Sequence, residues 1–275
     1  MMIRIYIYLF FLCVSFPVLS QPCTGNWSVK VDSNSLSSKE NAIKLPIYIQ
    51  VDKSIARCRP QGIYIRSDTV GNVSVKNNNT IIPGRVVDSS GNNSGVRMSR
   101  GVLFSLSNDS TTKLWVEFPQ ASLSRAGDYS GNLTVALAGI EGISPKNVTI
   151  AFKVSPFVDL GISSLDKSHH TMNFGVLKSN QTKSADVFFR ANTPVSLLFR
   201  SEFGRLQHID IPNESIAYSI YLDSKKVAID DEIKFNRLSS VRATKKKFMI
   251  RVGDTRNAAA GSYKEVITIV AFAKP

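Results

Sequence analysis

After residue 20 the chain has no apolar run approaching the twenty or so residues that a helix needs to cross a bilayer, so no membrane span is expected. It also lacks any stretch that combines helical periodicity with capping residues, which points away from helical architectures. Histidine is scarce. His169, His170 and His208 are the only three, and none stands at metal-ligand spacing from another ligand. The first two are neighbours, so in a strand they would face opposite sides, and all three are read as surface or turn residues. There is no G-x-S-x-G elbow, no glycine-rich phosphate loop and no H-E-x-x-H. The carboxylate run Asp230-Asp231-Glu232 reads as a solvated turn rather than a cation site. No catalytic, cofactor-binding or metal-binding residue is therefore assigned, and the chain is not expected to be an enzyme. The basic residues are not interleaved with aromatics in the manner of nucleic-acid readers, which excludes that partner class.

Cysteine is nearly absent too, and the few present are informative. Residues 1–20 have the layout of a secretory signal peptide. Arg4 supplies the positive start, Ile5 to Val14 the apolar segment, and Val18-Leu19-Ser20 a small-residue cleavage site. Cys13 leaves with that segment. Cys23 and Cys58 remain, and an even pair in an exported chain predicts one disulfide. Metal binding by that pair is excluded, because no further Cys or His lies nearby. The formal net charge of +13 is spread along the chain as on a solvated face, although a basic exported protein also favours anionic surfaces.

What fills the chain is short alternating runs separated by polar turns. Trp27–Val31, Ile47–Val51, Ile63–Ile65, Val73–Val75, Val102–Leu106, Leu114–Phe118 and Asn147–Val154 predict strands in a first domain, residues 21–154. Ser155-Pro156 is the expected linker. Phe157–Leu160, Met172–Val176, Ala185–Arg190, Val195–Arg200, Ile216–Leu222 and Lys246–Val252 predict those of a second domain, residues 157–275. The expected fold is all-β, with two immunoglobulin-like β-sandwiches.

One motif occurs twice. Residues 126–137 read AGDYSGNLTVAL and residues 260–271 read AGSYKEVITIVA. The repeat implies two related domains. After the first copy comes a further alternating strand, Asn147–Val154. After the second the chain stops at Pro275. The final strand has Tyr263, Ile267, Ile269 and Ala271 on one face at a period of two, and Val266, Val270 and Phe272 on the other. Both faces are expected to be buried, with one edge left unpaired, and an unpaired edge is a template for another chain. The second sandwich is therefore expected to be incomplete. Tyr263, Ile267, Ile269 and Ala271 are expected to line a groove for a strand supplied from outside.

Several segments of the second domain carry a resemblance. Phe174-Gly175, the stretch from Arg190-Ala191-Asn192 to Gly204-Arg205-Leu206, Ile216-Ala217-Tyr218 with Tyr221-Leu222-Asp223, and the closing Gly261-Ser262-Tyr263 strand resemble the pilins of chaperone–usher systems, in particular the archaic, spore coat protein U-like branch. In the first domain the resemblance is confined to the Ala126–Leu137 repeat. It implies that a periplasmic chaperone supplies the missing strand first and that an adjacent pilus subunit replaces it, a mode of strand addition known for pilins. It also implies an outer-membrane usher as partner and export through the periplasm to the cell surface. The second domain departs from many such pilins in having no cysteine.

Pilins donate an N-terminal arm to the next subunit. Here Cys23 sits at the start of the mature chain and is expected to be tied to Cys58, which leaves no free arm. A subunit that accepts a strand but donates none sits at the end of a fibre. The expected function is thus a two-domain tip adhesin of a chaperone–usher pilus, whose first domain binds a host or surface receptor, glycans included. No receptor-binding residue is assigned, and Tyr48, Tyr64 and Trp115 are read as core aromatics. Two alternatives carry the same composition: a minor pilin or initiator subunit without receptor binding, and a free secreted carbohydrate-binding module.

Overall fold

A computed structural model describes residues 23–67, 73–99, 101–107 and 110–274. The expected signal peptide lies outside the described residues.

In the first half the strands are β1 (Trp27–Val31), β2 (Ser37–Lys39), β3 (Ala42–Val51), β4 (Gly62–Ser67), β5 (Val73–Asn77), β6 (Thr80–Val87), β7 (Val96–Met98), β8 (Gly101–Phe104), β9 (Thr111–Phe118), β10 (Gly127–Ala138) and β11 (Lys146–Val154). A short helix, α1 (Lys53–Arg57), links β3 to β4 and buries Ile55. One layer is built on the antiparallel pairs β1–β3 and β3–β9, with β2 also on β3. The other runs β5–β10–β4–β8–β7, with β11 on the opposite edge of β10. Strand β6 belongs to both. Its first part pairs with β5 and its last residues, Arg85–Val87, pair with β9. The change of layer falls at Pro83-Gly84, where a Cβ on Gly84 would press into the ring of Phe118. This strand was not expected from sequence, because Pro and Gly interrupt its alternation.

The core between the layers is closed. Leu45, Ile47, Ile49, Val116 and Phe118 from one sheet meet Ile63, Ile65, Leu133, Val135 and Ile150 from the other, all nearly or fully buried. The disulfide Cys23–Cys58 ties the segment before β1 to the end of α1.

The second half contains β12 (Val158–Ile162), β13 (Thr182–Ala191), β14 (Val195–Ser201), β15 (Leu206–His208), β16 (Ser215–Ile216), β17 (Tyr218–Leu222), β18 (Lys225–Val227), β19 (Glu232–Phe235), β20 (Thr244–Val252), β21 (Tyr263–Lys264) and β22 (Ile267–Ala273). One layer has the order β12-β13-β20-β17-β18 and the facing one β19-β14-β22. A small third sheet, β16-β15-β21, extends from one end. The core holds Val187, Phe189, Leu197, Phe199, Ile220 and Phe248, with the Phe199 and Phe248 rings stacked 5.5 Å apart.

Three expectations are corrected here. Residues Met172–Val176 are not a strand. Met172 and Phe174 do pack on neighbouring apolar clusters, but Val176 is exposed. The run Ile216–Leu222 is divided at Ala217 into β16 and β17, which belong to different sheets. His208 is buried rather than superficial. Its Nδ1 accepts the backbone N–H groups of Asp210 and Ile211 at 3.1 and 3.0 Å, while Nε2 stands 3.1 Å from the Ala260 carbonyl. That arrangement puts the ring proton on Nε2. The imidazole thus stitches the loop after β15 to the chain entering β21.

Candidate functional site: the open edge of the second sandwich

The repeated sequence motif is a repeated structure. Tyr129 donates its hydroxyl to the Arg125 carbonyl, and Tyr263 donates to the Ala259 carbonyl, each at 2.8 Å and four residues upstream. This is the tyrosine corner of immunoglobulin-like sandwiches, placed where the chain enters a late strand. The glycine of each motif has positive φ, +146° at Gly127 and +150° at Gly261. Each is also in tight contact, Gly127 with the Asn77 side chain and Gly261 with the His208 ring, so a Cβ fits at neither.

The two corners lead into strands with different surroundings. In the first sandwich Leu133 pairs with Ser67 of β4 on one side and with Val148 of β11 on the other. In the second, Ile267 holds the matching motif position and pairs with Ser201 of β14. No described strand pairs with the other edge of β22. Burial follows pairing. Leu133, Val135 and Leu137 are 1%, 0% and 6% exposed, whereas their counterparts Ile267, Ile269 and Ala271 are only half-buried.

The open edge faces a second one. Strand β12 borders the opposite layer and touches β22 without being hydrogen-bonded to it. Its Val158, Leu160 and Ile162 are half-buried in the same way. The side of the sandwich between β12 and β22 is therefore edged by two strands that each lack a described partner on that side, with half-buried apolar side chains from both layers along it.

Both ends of β22 are pinned. At its start, Glu265 turns its carboxylate back over the end of β14. It accepts the Ser201 hydroxyl at 3.0 Å and the backbone N–H groups of Glu202 and Phe203 at 3.0 and 3.2 Å. Tyr218 donates to the same Ser201 hydroxyl at 2.8 Å, and burial pushes the phenol up from its ordinary value. At its end, the Thr193 hydroxyl donates to the Lys274 carbonyl, and the Lys274 N–H reaches Pro194 O at 2.8 Å. The edge is thus held in extended form, which lowers the entropic cost of any strand pairing with it.

The four residues expected to line one groove are not all brought together. Ile267, Ile269 and Ala271 lie together on β22 at the open edge. Tyr263 lies on β21 in the small third sheet, packed on Leu206, Ile216 and Val252, with its ring edge-on to His208 at 4.9 Å. The chain between them leaves the strand at Glu265. Residues Val158, Leu160 and Ile162 were not singled out from sequence as neighbours of this edge. Their alternation was legible, but their position opposite β22 depends on long-range pairing.

Tyr48, Tyr64 and Trp115 are not core residues. They are half-buried, and Lys113 Nζ lies 4.4 Å above the Trp115 ring and 5.6 Å from that of Tyr48. On the same sheet Glu117 is buried between Lys44 at 3.0 Å and Arg85 at 2.6 Å. Burial alone would raise its carboxyl, but the two hydrogen-bonded cations outweigh it and hold it below the usual carboxylate range.

No family model matches the chain, and no curated protein matches it. In structure it is similar to CsuE, the tip subunit of archaic chaperone–usher Csu pili of Acinetobacter baumannii, solved with its chaperone CsuC. That likeness has 13% identity and a TM-score of 0.44, and covers 81% of this chain and 88% of that one. It is similar to CfaE, the adhesive subunit of the CFA/I fimbria of enterotoxigenic Escherichia coli, with 10% identity, 78% and 82% coverage and a TM-score of 0.35. It is also similar to the CupB6 tip adhesin of Pseudomonas aeruginosa, with 13% identity, 90% and 97% coverage and a TM-score of 0.32.

Proposed function

We propose that the groove between β12 and β22 accepts a β-strand from another polypeptide, and that the protein is the tip adhesin of a chaperone–usher fibre. One observation carries this reading. The same motif that is covered by β11 in the first sandwich is left half-exposed in the second, on a strand pinned at both ends. A strand added to β22 would gain backbone hydrogen bonds along the edge, and its alternate side chains would cover Ile267, Ile269 and Ala271 together with Val158, Leu160 and Ile162. A periplasmic chaperone would fill the groove first and an adjacent fibre subunit afterwards, with an outer-membrane usher between the two steps. The first sandwich, whose core is already closed, is free to bind a receptor.

The test is surface display in the native host. Replacing both Ile267 and Ile269 by Asp puts two charges where the incoming strand must bury apolar surface, which costs several kcal/mol. Display and chaperone co-purification should both be lost. Thr268→Asp, on the exposed face of the same strand, should preserve both. Normal display of the double variant would overturn the proposal and favour a free secreted module.

A further inference from the structure

The outward face of one layer of the first sandwich carries aromatic side chains set among cations, and cross-strand register places them. Lys30 of β1 pairs with Tyr48 of β3, and Tyr48 pairs with Lys113 of β9. Directly paired residues of an antiparallel sheet share a face, so Tyr48 stands between two lysines, each one strand spacing of about 5 Å away. In the next row Pro46 of β3, Trp115 of β9 and Val87 of β6 are in line. Lys44, Glu117 and Arg85 form the row after that.

Charge on this face is one-sided. Strands β1, β3, β6 and β9 contain a single carboxylate, Glu117, and it is taken by Lys44 and Arg85. Lys30 and Lys113 make no ion pair among the described residues. Asp32 lies near Lys30, but its carboxylate is turned into its own loop, where it accepts the Asn34 N–H at 3.0 Å and the Ser35 hydroxyl at 2.6 Å. Lys113 is held by rings instead, with Nζ 4.4 Å from the Trp115 centroid and 5.6 Å from that of Tyr48. Ring faces orient an ammonium without neutralising it. Trp115 and Tyr48 also each bring a polar tip, Nε1–H and O–H, to a half-buried ring.

We infer that this face binds an acidic polysaccharide, with Lys113, Trp115, Tyr48 and Lys30 as its contact residues. The lysines meet carboxylate or sulfate groups, and the exposed parts of the rings meet the C–H surface of the sugars. A flat sheet face encloses nothing, so it suits an extended polymer rather than a single terminal sugar. That the polymer belongs to a surface rests on the adhesin reading above; that it is acidic rests on the face itself.

The experiment uses the purified protein and three polymers with one backbone: dextran, carboxymethyl-dextran and dextran sulfate. Binding is expected to one or both acidic polymers and not to dextran, and which of them binds identifies the anion. The chain has two tryptophans, and Trp27 is buried, so acrylamide quenching of fluorescence reports mainly on Trp115. The bound polymer should shield Trp115 from acrylamide. Lys113→Gln should weaken binding about tenfold or more, as loss of a charged hydrogen bond does. Lys226→Gln removes the same charge from an exposed site on β18 and should leave binding unchanged. Equal binding to dextran, no binding to either acidic polymer, binding without shielding of Trp115, or an equal loss with Lys226→Gln each overturns the inference. The quenching is read on the wild-type protein, so it decides even where a variant fails to fold. Surface display is read in parallel. Display that needs the β22 edge, without polymer binding, overturns this face and leaves the fibre reading standing. Polymer binding with shielding, by a protein whose display ignores the β22 edge, supports the face and overturns the fibre reading.

Discussion

Single residues carry the internal homology of this molecule. The hydroxyls of Tyr129 and Tyr263 each hold a bend by one hydrogen bond to a carbonyl four residues back. Tyr→Phe at either position keeps the ring and removes only that bond, so each should cost about 1 kcal/mol, read as a lower midpoint in urea unfolding. The recurrence of Ala-Gly-x-Tyr was visible in the sequence because this chemistry is local. The role of His208 was not, because although Asp210 and Ile211 are its neighbours in the chain, Ala260 meets it only through the third sheet. Glu117 gives a prediction in pH. Its carboxyl is lowered in the folded state, so its stabilisation is fully present above the unfolded value of about 4.3 and is lost as pH falls through the folded one. Glu117→Gln should therefore destabilise by about 1–2 kcal/mol at neutral pH, given that Lys44 and Arg85 are partly exposed. Below about pH 4 the difference from wild type should shrink, which melts across that range would show.

At the scale of elements, the contrast between β10 and β22 yields a matched pair of mutations. Leu133→Ala empties a fully buried site and should cost about 2–5 kcal/mol. Ile267→Ala, at the same motif position, should cost clearly less in the isolated protein, because that side chain still meets water. Calorimetry of the two variants checks this, and equal losses would mean that β22 is already covered. Which strands could be read from the sequence follows from what forms them. Trp27–Val31, Val195–Arg200 and Lys246–Val252 alternate cleanly and are strands. Strand β6 was hidden by Pro83 and Gly84. Residues 172–176 alternate yet make no strand, because alternation supplies no partner. The final stretch looked continuous, but the reach of Glu265 to Glu202 and Phe203 divides it into β21 and β22.

At the scale of the whole molecule, one side chain bonds to both sandwiches and to the segment between them. Asn192, buried in the turn between β13 and β14, donates from Nδ2 to the carbonyls of Ser155 at 3.0 Å and Ser122 at 3.4 Å. Its Oδ1 accepts from Phe157 N–H at 2.9 Å, and its own carbonyl accepts from Ala126 N–H at 3.1 Å. Asn192→Ala keeps the backbone bond to Ala126 but leaves Phe157 N–H and the Ser155 and Ser122 carbonyls without their side-chain partner, and should both destabilise the junction by about 1–3 kcal/mol and speed proteolysis near Ser155. The next residues, Thr193 and Pro194, hold the end of β22, so the turn that joins the sandwiches also fixes the open edge. The most direct test of strand addition at that edge is hydrogen–deuterium exchange over Ile267–Ala273, made on the isolated protein and on the protein recovered from the proposed surface fibre. If β22 accepts a strand, its outward-facing amides exchange rapidly in isolation and become protected in the fibre, together with β12. Equal exchange in both states would contradict it.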